Sequence, residues 1–122
     1  MPQLLVPDTN FLIYLVKYKL LDEIGHYKIV IINQILKELE RIINGKKTKV
    51  EDRVAASVAL TFLKTKRAKI EQQKGKTDDA ILLVAKKLGA IIGTMDKELG
   101  KKAEKLNIPV IKIRQKKYLE KG

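Results

Sequence analysis

The chain has 122 residues and carries 26 Lys and Arg against 14 Asp and Glu, which gives a formal net charge of +12. This length suits one domain with a single buried core. The absence of Cys and the presence of only one His, His26, exclude disulfide scaffolds, thiol catalysis, Cys-based zinc sites and any metal site that needs two histidines. No apolar run approaches the roughly 20 residues of a membrane span, and the N-terminus lacks a signal-peptide pattern. We therefore expect a cytoplasmic protein without membrane contact.

Short apolar runs that predict strands alternate with segments of helical periodicity along the chain. The strands are expected at Leu4–Val6, Lys28–Ile32, Ala68–Glu71, Ala90–Gly93 and Pro109–Ile113. Helices are expected directly after Asp8, after an Asn33 cap, over Val50–Lys64, from a Thr77 or Asp78 cap to about Leu88, and over Lys97–Leu106. The alternation predicts an α/β domain over residues 1–122, with a parallel sheet covered on both faces and a short basic tail at about 114–122.

Acidic residues gather just beyond the predicted strands. Asp8 follows the first strand and Asp96 follows the fourth, while Asp78 and Asp79 begin a helix alongside. Glu38 interrupts an apolar stretch of the second helix. Each acid alone also fits a helix cap or a solvated charge. All of them fall at the same end of the predicted sheet, where functional groups of open α/β sheets collect. Their convergence on one cleft is therefore the hypothesis to test.

A cluster of carboxylates needs a physical reason to persist. Two carboxylates about 5 Å apart repel each other by roughly 3 kcal/mol at an effective dielectric constant near 20. A hard divalent cation removes this repulsion, and Mg²⁺ or Mn²⁺ prefers carboxylate oxygens and water. One or two such ions can activate water and stabilise the leaving oxygen in phosphodiester hydrolysis. The acids, without a second His, therefore indicate Mg²⁺ or Mn²⁺ more than Zn²⁺.

The net positive charge predicts a polyanionic partner, most simply nucleic acid. A lysine-rich surface typical of a hot or AT-rich source is the alternative explanation of the same charge. Only 5% of residues are aromatic, which disfavours base-stacking platforms and favours contacts with backbone phosphates. The candidate phosphate contacts are Lys46, Lys47, Lys74, Lys76, Lys101 and Lys102.

Four short motifs, in this order, resemble those of the PIN-domain family of nucleases. They are Val6–Leu12, with Asp-Thr-Asn at its centre, Ile35–Leu39, Asp79–Leu82 and Thr94–Leu99. The resemblance implies a three-layer α/β/α sandwich around a five-stranded parallel sheet. The catalytic metal ligands that it implies are Asp8, Glu38, Asp79 and Asp96, with Asp78 as a further candidate ligand and with Asn10 and Thr94 as supporting polar residues.

The same resemblance implies a Mg²⁺- or Mn²⁺-dependent endoribonuclease. Lys74–Asp79 and Ile108–Arg114 are more similar to the branch linked to small-subunit ribosomal RNA processing, which implies ribosomal RNA as the partner. Toxin ribonucleases of toxin–antitoxin pairs (VapC type) share the motifs and imply an antitoxin partner instead. A non-catalytic RNA-binding ribosome-assembly factor of the same fold is a third alternative. Many family members self-associate, so a homodimer is expected.

Two other α/β enzymes or switches also place Asp after the first strand. A phosphorylated receiver domain needs an acidic pair there, and a haloacid-dehalogenase-type phosphatase needs Asp-x-Asp. The segment Asp8-Thr9-Asn10 satisfies neither pattern. The sequence therefore disfavours both of these classes.

Overall fold

A computed structural model describes residues 3–122. Over that range the strands are β1 Leu4–Pro7, β2 Lys28–Ile32, β3 Lys69–Glu71, β4 Ile91–Gly93, β5 Val110–Arg114 and β6 Tyr118–Lys121. The helices are α1 Thr9–Lys17, α2 Asn33–Asn44, α3 Val50–Thr65, α4 Thr77–Leu88 and α5 Lys97–Lys105, with a short 3₁₀ helix at Leu21–Ile24.

The strands form one sheet in the order β3-β2-β1-β4-β5-β6. The first five strands are parallel, as the sequence predicted, and β6 pairs antiparallel with β5. From β1 the chain first extends the sheet through β2 to β3, and then returns to add β4 and β5 on the other side. The connections therefore diverge between β1 and β4, and such a switch point opens a crevice at the carboxyl ends of the strands.

Helices cover both faces of this sheet. The three helices α1, α2 and α3 pack on one another, and α4 packs on α5. Right-handed crossovers place the first group on one face and the second group on the other. Small buried residues on α3, Ala55, Ala56 and Ala59, allow its close approach to its neighbours. The three-layer α/β/α arrangement predicted from the sequence is confirmed.

The central strands are apolar because both of their faces are covered. Ile29–Ile32 of β2 and Ile91 and Ile92 of β4 are almost fully buried, as parallel strands with helices on both sides require. Phe11 of α1 is fully buried beside Gly93 of β4, and a Cβ atom at position 93 would lie 2.5 Å from the Phe11 ring. Helix α1 can therefore lie close to β4 only because residue 93 has no side chain.

The expected basic tail is instead part of the sheet. Gln115 and Lys116 adopt positive φ angles of 52° and 57°, and the turn reverses the chain so that β6 pairs with β5. Arg114 donates from Nε to Glu120 Oε1 at 3.2 Å across the hairpin. Gly or Asn normally marks such a turn, and neither occurs here, so the sequence pattern did not reveal the strand.

Two expected helix caps are also wrong. Helix α2 begins at Asn33 with Ile32 as its N-cap, and the Asn33 side chain accepts a hydrogen bond from the Gln73 N–H at 2.8 Å instead. Helix α4 begins at Thr77 with Lys76 as its N-cap, so neither Thr77 nor Asp78 has the capping role. Among the described helices, none has the length and apolar character needed to cross a membrane.

Candidate active site at the carboxyl edge of the sheet

A cavity of about 530 Å³ lies at the carboxyl edge of the sheet, at the switch point between β1 and β4. It is lined by Asp8, Thr9, Asn10, Tyr14, Ile35, Glu38, Thr77, Asp78, Met95 and Asp96. The lining contains four carboxylates from four different segments and no Lys or Arg. We call this space the acidic cavity.

Asp8 is the most deeply placed of these acids. Its Oδ1 accepts a hydrogen bond from the Phe11 N–H at 2.8 Å, which caps α1, and its Oδ2 accepts one from the Thr94 hydroxyl. Burial raises the pKa of Asp8 to about 6, although these two hydrogen bonds act in the opposite direction. The charges of Asp96 and Asp78 add to the rise of the pKa. Asp8 is therefore a carboxylate that a nearby cation would strongly stabilise in its ionised form.

Thr94 connects Asp8 with Asp96. Its hydroxyl donates to Asp8 and accepts a hydrogen bond from the Asp96 N–H at 3.0 Å. Asp96 in turn caps α5, because its Oδ1 accepts from the N–H groups of Glu98 at 2.8 Å and Leu99 at 3.2 Å. Thr94 is only 1% exposed, so the centre of this chain of hydrogen bonds is buried, whereas Asp96 at its outer end is exposed. Asp8 and Asp96 therefore each cap a helix and also line the cavity.

The structure places Asp78, rather than Asp79, at the acidic cavity. Asp78 is partly buried, and its pKa is raised first by this burial and then by the charge of Asp96. Asp79 is exposed and does not belong to the cavity lining. Successive residues of a helix point about 100° apart, which turns the Asp79 side chain away from the cavity that Thr77 and Asp78 line.

Glu38 reaches the rim of the cavity from α2. Its carboxylate is held by the guanidinium of Arg41, one turn further along, with distances of 3.1 Å from Nε to Oε2 and 2.6 Å from Nη2 to Oε1. The Glu38 side chain is 38% exposed. Glu38 can therefore serve the cavity only in competition with Arg41.

The donor set fits a hard divalent cation. Within residues 3–122 no three Asp, Glu or His side chains are grouped closely enough to hold a metal ion as they stand. All four acids nevertheless offer carboxylate oxygens, which Mg²⁺ and Mn²⁺ prefer, and in the described part of the chain only Glu38 of the four is paired with a basic side chain, that of Arg41. Burial and the repulsion of neighbouring acids raise the pKa values of Asp8 and Asp78, and the only positive charge among the described residues that compensates for this rise is that of Lys102, which acts on Asp78. A cation would supply that compensation.

Of the supporting residues expected from the sequence, Asn10 lines the cavity and Thr94 is hydrogen-bonded to Asp8, and further lining residues were not expected from the sequence. Tyr14 lies one helical turn after Asn10 on α1, lines the cavity and stacks on Tyr18 with ring centroids 5.6 Å apart. The four-residue spacing from Asn10 is the signal that could have identified Tyr14. Thr77 and Met95 flank the acids and also line the cavity.

The six candidate lysines are all exposed but do not form one surface. Lys76 directly precedes the cavity residue Thr77, and Lys102 is close enough to Asp78 to lower its pKa. Lys74 lies two residues further upstream, beside a different cavity, and Lys101 lines a groove along α5 and β5. Lys46 and Lys47 lie in the turn after α2. Of the six lysines, Lys102 therefore acts on a cavity acid, and Lys76 adjoins the lining in sequence.

Comparisons with known proteins point to one family. A family model described as a PIN like domain matches residues 4–116. Ribonuclease VapC4 of Methanocaldococcus jannaschii is 38% identical, with 95% of this chain and 94% of the relative covered. Ribonuclease VapC9 of Archaeoglobus fulgidus is 32% identical, with 92% and 84% covered. A solved domain of a functionally unknown protein from M. jannaschii superposes with a TM-score of 0.64 at 20% identity over 92% of this chain and 91% of that one, a likeness of fold alone.

Proposed function

This chain belongs to the PIN like domain family, and from that membership we propose that it is a divalent-metal-dependent endoribonuclease of the toxin type. The observation that carries the proposal is the acidic cavity, in which Asp8, Glu38, Asp78 and Asp96 line one space without a basic residue. A cytoplasmic location belongs to the same proposal, because RNA is abundant there.

Asp8, Asp78 and Asp96 would hold a Mg²⁺ or Mn²⁺ ion, and Glu38 would join them when it leaves Arg41. When bound, such an ion supplies Lewis-acid stabilisation of the charge that develops on the phosphate during hydrolysis. Thr94 orients the carboxylates, since its hydroxyl is bound to both Asp8 and the Asp96 backbone. Asn10, which lines the cavity, would donate a hydrogen bond from its side-chain amide to a phosphate oxygen.

The toxin role is preferred to ribosomal RNA processing because both curated relatives are named as VapC ribonucleases. It implies a protein antitoxin as partner. A homodimer through α3 is part of the proposal, because Val50, Val54 and Val58 recur every four residues on that helix. Their exposed fractions are 65%, 56% and 42%. Such a stripe on a helix surface is typical of a contact with another chain.

Cleavage of single-stranded RNA in Mn²⁺ tests the activity. We expect Asp8→Asn, Asp78→Asn and Asp96→Asn each to lower the cleavage rate by roughly 100-fold or more, since each removes charge from the metal site. Asp79→Asn and the remote Asp22→Asn are matched controls and should lose much less. Equal cleavage by the wild type and Asp8→Asn would show that the activity comes from a contaminant.

The biological role has a separate test. Induction of the wild-type chain in a bacterial host should arrest growth if the protein is a toxin, and Asp8→Asn should relieve the arrest. Normal growth with a nuclease that is active in vitro would count against the toxin role and favour RNA processing.

A further inference from the structure

A second cavity, of about 520 Å³, opens at the same edge of the sheet, beyond the carboxyl ends of β2 and β3. The residues that matter for the argument are Asn33, Gln34, Lys37, Gln72, Gln73 and Lys74. We call this space the amide cavity. Nothing in the proposed hydrolysis uses these side chains.

The amide cavity and the acidic cavity are neighbours. On α2, Gln34 and Lys37 line the amide cavity, while the residues that follow each of them, Ile35 and Glu38, line the acidic cavity. The loop between β3 and α4 does the same, since Lys74 belongs to one cavity and Thr77 to the other. A chain that lies across this edge of the sheet therefore passes from one cavity directly into the other.

The wall of the amide cavity is preformed. Gln34 donates from Nε2 to the carbonyl oxygens of Gln73 at 2.7 Å and Gly75 at 2.9 Å, and Asn33 accepts from the Gln73 N–H at 2.8 Å. These bonds tie the start of α2 to a loop about 40 residues away in sequence. The loop conformation is therefore set before any ligand arrives, which lowers the entropic cost of binding.

The two cavities have opposite charge. Two lysines, Lys37 and Lys74, and no acid line the amide cavity, whereas four acids and no lysine line its neighbour. Lysines are strong partners of phosphate, and side-chain amides can donate to and accept from the edge of a nucleobase. Among the described contacts, none engages the exposed side chain of Gln72.

We propose that the amide cavity binds a nucleotide of single-stranded RNA adjacent to the one that is cleaved. In this subsite Lys37 and Lys74 contact the phosphate, and Gln72 contacts the base edge. The proposal rests on the ribonuclease function. It adds that side-chain amides recognise a base on one side of the phosphodiester bond that is cleaved. Single-stranded RNA is required because bases in a helix do not present their pairing edges.

The test measures binding of a fluorescent single-stranded RNA by anisotropy in EDTA, where no cleavage occurs. We expect the double variant Lys37→Ala/Lys74→Ala to bind roughly tenfold more weakly than the wild type, because it cannot form the charge-assisted hydrogen bonds to phosphate. The slope of log Kd against log salt should also become shallower by about 0.7 for each phosphate that the variant no longer neutralises. The matched control is Lys28→Ala/Lys105→Ala, which removes the same charge at the opposite edge of the sheet, and it should keep near wild-type affinity.

Cleavage kinetics in Mn²⁺ complete the test. The Lys37→Ala/Lys74→Ala variant should raise KM and leave kcat nearly unchanged, because the subsite lies outside the reacting bond. Gln72→Ala should reduce the difference in affinity among oligonucleotides of A, C, G and U. Equal binding by the wild type, the double variant and its control would overturn the subsite but leave the ribonuclease function intact. Failure of the wild type both to bind and to cleave RNA would overturn the two together.

Discussion

At the scale of single residues, the site depends on one buried hydroxyl. Thr94 donates to Asp8 and accepts from the Asp96 backbone, so it links the ends of β1 and β4. Each acid also caps the helix that follows it. The carboxylates of Asp8 and Asp96 therefore both cap a helix and line the cavity. Because the caps hold these carboxylates at the helix N-termini, the start of each helix fixes where its acid lies.

Replacement of Thr94 tests this link. Thr94→Val keeps the shape but leaves the Asp96 N–H without its acceptor, so we expect the free energy of unfolding to fall by about 1–3 kcal/mol. The pKa of Asp8 should rise further, because the Thr94 hydrogen bond lowers it. Urea denaturation and cleavage assays measure both effects. Thr94→Ser retains the hydroxyl and should keep most of the activity, and equal loss in both variants would refute the role of the hydrogen bonds.

The raised pKa of Asp8 predicts how stability depends on pH in the metal-free protein. The folded pKa of about 6 lies above the ordinary value of 3.8, so the folded state binds this proton more tightly than the unfolded state. The contribution is complete below about pH 4 and is lost as the pH rises through 6. With EDTA present, the free energy of unfolding of the wild type relative to Asp8→Asn should fall by roughly 2–3 kcal/mol between pH 4 and pH 7.5.

Two comparisons check this pH dependence. Asp22→Asn, an exposed acid far from the cavity, should follow the wild type across the same range. Added Mn²⁺ should restore stability at pH 7.5 to the wild type more than to Asp8→Asn, because a ligand of the folded state alone stabilises it. A difference between the wild type and Asp8→Asn that does not change with pH would contradict the shift.

At the scale of helices and strands, the sequence predicted well what depends on apolar patterning. The central strands β1, β2 and β4 appear as apolar runs because helices bury both of their faces, whereas Ile70 of the edge strand β3 is 50% exposed. The hydrogen-bond partners and orientations of polar side chains were less predictable. Asn33 could have capped α2 but binds the Gln73 N–H, a residue 40 positions away that no local rule identifies. Asp78 and Asp79 differ by one residue, less than the accuracy with which a helix start is predicted, so only the fold shows which faces the cavity.

Two replacements of Asp96 distinguish its role as a helix cap from its role in cleavage. Asp96→Asn can still accept from the N–H groups of Glu98 and Leu99, so its stability should stay within about 0.5 kcal/mol of the wild type. Asp96→Ala should lose about 1 kcal/mol more. Thermal denaturation measures this difference, and both variants should lose cleavage. If Asp96→Asn cleaves normally, Asp96 is only a cap.

At the scale of the whole molecule, the net charge of +12 is unevenly spread. Four of the 14 acids line one cavity, so the rest of the surface is more positive than the net value indicates. Under the proposed function, a phosphate chain attracted by that surface would reach the metal ions only at the acidic cavity. The acidic cavity lies at the switch point between β1 and β4. The order of the strands creates this switch point, and composition does not reveal it.

The valine stripe of α3 predicts how the molecule assembles. Val54 lies at the centre of this stripe and is 56% exposed. Val54→Glu should therefore place a charge in the proposed dimer contact. We expect this variant to fold normally and to shift from dimer to monomer in light scattering after size-exclusion chromatography. Leu83→Glu, which replaces a 57% exposed apolar side chain on α4, is the matched charge control. A wild type that is monomeric at all accessible concentrations would contradict the homodimer.

The close approach of Phe11 to Gly93 has a consequence for how this protein can evolve. Any side chain at position 93 would collide with a ring that has no room to move, since Phe11 is fully buried. The same glycine accepts the Asp8 N–H at 2.9 Å through its carbonyl, so a displaced β4 would carry Asp8 with it. A side chain at residue 93 is therefore expected in descendants of this sequence only together with a smaller residue at position 11, because otherwise β4 and Asp8 would be displaced.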